Sequence, residues 1–525
     1  MLRSVIETYL TSIKELQLFL PFMQLLEAGG FYDIHLIHGN TEFGKDVIAK
    51  KEKDSILTQF SFQLKAGDIN LVKFRNEIKP QLIDATTNRL AHPNFDTSLP
   101  HRVIFVCSGN ILSTAAIDFQ EFNIYVEEKL KAPLVETWDR PRLTKEFLTI
   151  GIGPFFELHN SPEQVGKFFQ MYSKISNDEL LDVFEIENYT KIWMNLEWDK
   201  SINRLQIFFE AYFFSRLLFD RNRYYESALM LSGLVRVLLK WEQYDVYSES
   251  IQEYYDLILN THFELAEKAY IDGRPFLMEF QGVFSVFYHP ISCLRTLELL
   301  SLYILTSKTT NIRLETFFLK MLDEQQGCHR IISDNYAISV VLVSLTLMKL
   351  EQLERLRKYL NNVCVWLCDR HEELGIAPIG SNHEEELEQL LSEYLSGLPY
   401  QKRGTSFAAC ILLDLTFVLR EKTLFEQIAN DLRAAEIILE FYHVLNDDAL
   451  YTHDDPTIVT STDFDFSLDF TNNYSVMIQH ERDANKITSR KKIILFLIFL
   501  LRDRYFPTFI QEMITGNSTY ATNAV

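Results

Sequence analysis

Apolar positions over residues 4–27 recur at helical spacing: Val5, Ile6, Tyr9, Leu10, Ile13, Leu16, Leu18, Leu20, Met23 and Leu26. The run stops at Gly29-Gly30, so it predicts one helix. The pattern then changes period. "FYDIHLIH" (31–38) alternates and predicts a strand, and "KDVIAKK" (45–51) and "TQFSFQLK" (58–65) predict two more, joined by the polar turn "EKDS". "NLVKFRNEIKPQLIDATTNRL" (70–90) returns to helical spacing across Pro80. "HRVIFVCSG" (101–109) is a continuous apolar run bounded by turn signals, as a buried parallel strand requires. "LSTAAIDFQEFNIYVEEKL" (112–130) predicts a helix and "APLVETWD" (132–139) a last short strand. The order α, β, β, β, α, β, α, β predicts a single mixed sheet with helices on its faces.

Beyond "GIGPF" (151–155) the strand signals stop. Long amphipathic stretches follow, among them 202–221, 224–244 and 335–374. They predict a helical array or bundle, with no fixed repeat of 30–45 residues. Two loops interrupt it, near 375–386 and 446–475, and a final helix pair covers about 486–514. The expected class is therefore α+β: an αβββαβ domain at 1–152, then an all-α region at 153–525, with a subdivision near 375–385.

Charge sharpens that division. The chain of 525 residues carries a net charge of −21, yet residues 1–150 hold 17 Lys and Arg against 19 Asp and Glu. Nearly all the acidity lies in the helical part. An acidic body disfavours indiscriminate phosphate binding and suits protein contacts. Six irregularly spaced cysteines form no disulfide framework. The N-terminus has no signal-peptide pattern, and the most apolar run, 493–501, is too short to cross a bilayer. A cytoplasmic protein with no membrane contact is the expectation.

Several residue groups read as structural. Cys364, Cys368 and His371 sit at helical spacing without a fourth zinc ligand, and Cys328-His329 lacks an orienting acid. The aspartates at 454, 455, 463, 465 and 469 do not match a calcium loop. No phosphate-binding glycine loop occurs, and the aromatic residues, 13% of the chain, follow amphipathic helices and read as core.

The hairpin at 41–69 carries chemistry. Asp46 opens one strand while Gln63 and Lys65 close the next. Residues two apart on a strand share a face, so Gln63 and Lys65 point one way and Leu64 points into the core. The turn returns Asp46 beside them. A carboxylate, an amide oxygen and the Leu64 backbone carbonyl are the oxygen donors that a hard divalent cation prefers. An adjacent ammonium suits phosphodiester hydrolysis.

Asp46 followed by "Gln63-Leu64-Lys65" resembles the D…(E/Q)xK signature of the restriction-endonuclease-like PD-(D/E)XK nuclease superfamily. The segment "EAGGFYDIHLIHGNTEFGKDVIAKK" and the buried "VIFVCSG" strand resemble the Mrr-type, or type IV restriction, branch. The resemblance covers about residues 1–150. It implies an endonuclease that uses Mg2+ or Mn2+ to hydrolyse phosphodiester bonds, with double-stranded DNA as substrate. By that resemblance Asp46 and Gln63 hold the metal and Lys65 orients the attacking water. Glu42 adds a carboxylate. A glutamate of the first helix reaches the site, Glu15 being better placed than Glu7 or Glu27. Gln63 departs from the commoner glutamate and brings no charge.

Lys45, Lys50, Lys51, Lys53, Lys73, Arg75 and Lys79 surround the site and are candidates for phosphate contact; a solvated charged face is the alternative. The architecture resembles effectors of bacterial anti-phage defence. In such an effector the helical part would form a homo-oligomer, or dock a partner such as an ATPase or sensor subunit. A non-catalytic interaction protein carrying a degenerate nuclease fold stands as the alternative.

Overall fold

A computed structural model of the chain describes residues 2–37, 44–53, 55–88, 92–151, 162–179, 181–273, 285–307, 309–373, 405–419, 421–443, 457–460 and 494–502. The chain divides into two compact units. The first is Met1–Leu234 with Trp241–Tyr254, and the second is Val235–Lys240 with Tyr255–Val525.

The first unit is built on a five-stranded mixed sheet. Its strands are β1 (Tyr32–Leu36), β2 (Val47–Lys53), β3 (Ile56–Lys65), β4 (His101–Cys107) and β5 (Glu136–Trp138), paired in chain order. The first three are antiparallel, with Val47 opposite Phe62 and Lys53 opposite Ile56. β3, β4 and β5 run parallel, with Gln63 opposite Phe105. Alternation along β3 and β4 sends two sets of side chains to opposite faces. Phe62 meets Phe22 and Trp138 on one face. Val103, Phe105 and Cys107 meet Phe74, Ile78, Leu82, Phe119 and Phe122 on the other.

The helix expected over 4–27 is two helices, α1 (Leu2–Ser12) and α2 (Glu15–Ala28). Lys14 is extended between them (φ −92, ψ 163), and the Gln17 side chain accepts its N–H at 3.1 Å. That local bond offers the backbone an alternative to continuing the helix, which apolar spacing does not reveal. The helix expected over 70–90 is likewise composite: α3 (Leu71–Lys73), a π turn (Phe74–Ile78) and α4 (Lys79–Thr87). Pro80 directly follows the π turn, where the regular helical ladder is already interrupted. After β4 come α5 (Ser113–Tyr125) and a second π turn, Val126–Leu130.

The first unit continues past residue 152. After α6 (Arg140–Glu146) it takes in α7 (Pro162–Ser176), α8 (Val183–Met194) and α9 (Ser201–Asp220). The Tyr9 ring meets Phe147, Phe209 and Phe213, and Glu27 of α2 pairs with Arg204 of α9.

The second unit is mainly helical. Its described helices include α10 (Ser285–Thr306), α11 (Ile312–Glu324), α12 (Ala337–Lys349), α13 (Leu353–Glu373), α14 (Phe407–Val418), α15 (Lys422–Ala434) and α16 (Ile494–Leu500). The amphipathic run 335–374 breaks between α12 and α13, where Glu351 takes φ +57. Arg502 and Glu298 form a buried ion pair at 2.8 and 2.5 Å.

The all-α expectation for 153–525 is corrected by a small sheet of β6 (Thr405–Ser406), β7 (Ile438–His443) and β8 (Thr457–Thr460). β6 and β8 are too short to show a period-two pattern, and β8 lies inside a polar, aspartate-containing stretch that reads as a loop. The six cysteines are free and buried. No described helix is long and apolar enough to cross a membrane. The loop near 375–386, the rest of 446–475 and most of 486–514 lie outside the described residues, as does the His371 side chain.

Candidate active site

The ladder between β2 and β3 sets the site. Asp46 donates its backbone N–H to the Phe62 carbonyl at 2.9 Å, one step before β2 begins. Its side chain is thereby brought to Gln63 and Leu64. Asp46 Oδ2 accepts the Leu64 N–H at 2.6 Å and the Gln63 Nε2–H at 3.0 Å.

The expected division of faces is only half the picture. Leu64 is 0% exposed, but Gln63 is only 1% exposed too, because its face lies under α4. Gln63 Nε2 also donates to Gln81 Oε1 at 3.3 Å. The other polar residues of this β3 face are paired. Gln59 donates to the Ala49 carbonyl and accepts the Asp96 N–H, and Ser61 bonds His101 Nε2 at 2.8 Å. Among the described residues Gln63 Oε1 is buried with no hydrogen-bond partner. Leaving such an acceptor unpaired costs about 1–3 kcal/mol.

Lys65 leaves the end of β3 and donates to Glu15 Oε1 at 2.8 Å. Glu15 opens α2, so the pair ties the strand end to a helix start. The other two glutamates are engaged elsewhere: Glu7 with Arg3 on α1, and Glu27 with Arg204. Glu42 lies outside the described residues. Among those residues no group of three or more His, Cys, Asp or Glu is arranged to hold a metal. A cation here would draw on Asp46 together with amide or backbone oxygens.

The cations named from the sequence are mostly committed within the fold. Lys45 is the clearest correction. It is fully buried, so it is not open to a phosphate, and it donates to the carbonyls of Asn88 (2.9 Å) and Asp84 (3.4 Å). Burial lowers its pKa to about 8, with Asp84 opposing. Lys50 bonds Asp33, Lys51 bonds the Gly29 carbonyl and covers the Phe31 ring, and Lys73 bonds the Ala66 carbonyl. Arg75 holds Asp118 through two bonds. Lys79 is half-exposed, and the Lys53 side chain lies outside the described residues.

Sequence pattern misses Gln81, Ser61 and His101, since nothing local sets them apart from ordinary helix and strand positions. His101 has a pH consequence. Burial, reinforced by Lys45, lowers its pKa from 6.5 to about 4. Between those values the unfolded chain takes up a proton that the folded chain refuses, so stability falls as pH drops from 6.5 toward 4. Melting curves across that window should lose on the order of 2–3 kcal/mol more for the wild type than for His101→Asn. Parallel curves would refute this.

No protein-family model matches the chain, and no curated protein and no solved structure matches it either.

Proposed function

We propose that the first unit is a metal-dependent nuclease that hydrolyses phosphodiester bonds of double-stranded DNA. One observation carries the reading. Asp46 and Gln63 meet where the start of β2 lies beside the end of β3, Lys65 closes the same strand on Glu15, and among the described residues Gln63 Oε1 is a buried acceptor without a partner. The donor set fits a hard cation: a carboxylate, an amide oxygen and the neighbouring Leu64 backbone.

On this reading Asp46 and Gln63, with the Leu64 carbonyl, hold Mg2+ or Mn2+. When bound, the cation neutralises phosphate charge and lowers the pKa of water. Asp46 supplies the one formal charge among these ligands, because Gln63 is neutral. Lys65 orients the attacking water and stabilises charge at the phosphoryl oxygens, and Glu15 fixes the ammonium for that role. The helical remainder restrains or triggers cleavage through self-association or a partner such as an ATPase or sensor subunit. Its acidity suits holding the nuclease off DNA. A role in anti-phage defence or restriction rests on this architecture.

A second reading, a non-catalytic interaction protein on a nuclease-like scaffold, draws on two observations. Asp46 is only 8% exposed, and five of the seven surrounding cations are spent on internal bonds. Supercoiled plasmid separates the readings. Nicking or linearisation in Mg2+ or Mn2+ that EDTA abolishes is the expected result. Intact plasmid with both metals, at protein in excess over DNA, favours the scaffold.

A further inference from the structure

We propose that Lys45 is a positioning residue for Asp46: its buried ammonium ties the Gly44–Asp46 turn to the carboxyl end of α4 and so fixes the carboxylate that takes the cation. The inference rests on the nuclease reading above.

Three consecutive residues bind this turn to one helix. Gly44 has φ +67, and a Cβ there would lie 2.1 Å from the Gln81 carbonyl oxygen, so only glycine lets the chain run this close to α4. Lys45 donates to the Asn88 and Asp84 carbonyls. The Asp84 carbonyl also accepts the Asn88 N–H, while the Asn88 carbonyl lies at the helix end, where intrahelical donors run out and a cation is favoured. Asp46 is linked to α4 through Gln63, whose Nε2 bonds both Asp46 Oδ2 and Gln81 Oε1.

The choice of a charged residue is informative. Taking an ammonium fully out of water is costly, and an unbranched apolar side chain would fill the same space without that cost. A turn that needed only packing is better served by methionine. Lysine brings direction: its head reaches the end of α4 and sets the turn at a defined distance from it. The neighbouring residue is the only carboxylate among the proposed ligands.

The test is Mn2+ affinity of the full chain, by titration calorimetry well below the melting midpoint, for wild type, Asp46→Asn and Lys45→Met. Residues that orient metal ligands typically change affinity about 10- to 100-fold, and that loss is expected for Lys45→Met. A purely structural role lowers the melting midpoint and leaves affinity unchanged, which overturns the inference. If Lys45→Met does not fold, Lys45→Gln replaces it, with weaker Mn2+ binding expected for a shorter, uncharged donor and wild-type affinity overturning the inference. Wild type that binds Mn2+ no better than Asp46→Asn overturns the nuclease reading and this inference with it. Mn2+ bound equally by wild type and a folded Lys45 variant overturns this inference alone.

Discussion

Asp46→Asn and Lys65→Ala are each expected to reduce plasmid cleavage about 10²- to 10³-fold or more while leaving the melting midpoint within a few degrees of wild type. The two substitutions are chosen for what they preserve. Asparagine at 46 keeps an oxygen for the Leu64 N–H, so the local bond at 2.6 Å survives while the charge is lost. Alanine would instead leave the Leu64 and Gln63 donors unpaired and confound catalysis with stability. Gln63 cannot compensate for the lost charge, so Asp46→Asn should suffer more than in a site with two acidic ligands. Lys65 is only 13% exposed, but its partner Glu15 is 38% exposed and keeps access to water when the lysine is removed. The fold therefore tolerates Lys65→Ala at a cost of about 1 kcal/mol or less. Quantified supercoiled, nicked and linear plasmid gives the rates. Equal rates for all three proteins, with wild type active, would place the chemistry elsewhere.

The parts of this arrangement that were legible in the sequence are those with short-range cause. The polar turn "EKDS" returns β2 beside β3, so the approach of Asp46 to Gln63 follows from local pattern, whereas the shared face expected for Gln63 and Lys65 gives way to separate partners, Gln81 of α4 and Glu15 of α2. The continuous apolar run of β4 marks a strand covered on both faces. The resemblance, not the residue pattern, points to Glu15, which bonds Lys65. What was not legible depends on partners distant in sequence. A lysine beside an aspartate in a polar turn reads as solvated. Lys45 is buried because Gly44 lets that turn lie on α4 at Gln81, some forty residues on, and its head reaches the helix end at Asn88. Gln81 acquires meaning only when α4 covers β3. The break at Lys14 arises from a single side-chain bond that no hydrophobic period records. The strands of the second unit pair across long intervening segments.

Expression of residues 1–151 alone is expected to give a chain that aggregates or melts without cooperativity, although it contains all five strands of the first sheet. The first unit is larger than the sheet and its covering helices. α2 lies between β3 and α9: Phe22 packs on Phe62 toward the sheet, and Glu27 pairs with Arg204 of α9. Tyr9 and Phe147 are both fully buried; Tyr9 meets Phe209 and Phe213 edge-on, and Phe147 packs on Phe209. Removing α9 returns these faces to water. Each large apolar side chain re-exposed costs about 1.5–3 kcal/mol, so a handful equals the 5–15 kcal/mol that usually holds a domain together. Phe209→Ala in the full chain is a graded version, with a loss of about 3–5 kcal/mol expected from chemical denaturation. A 1–151 fragment with a sharp melt near that of the full chain would show that α9 merely rests on the sheet domain. The outcome also governs how restraint by the helical region is tested. A cut at 152 removes packing from α1 and α2, and α2 carries Glu15. Loss of cleavage in such a fragment therefore reports a displaced Lys65 as readily as a missing regulator, and substitutions in the intact chain are the sounder instrument.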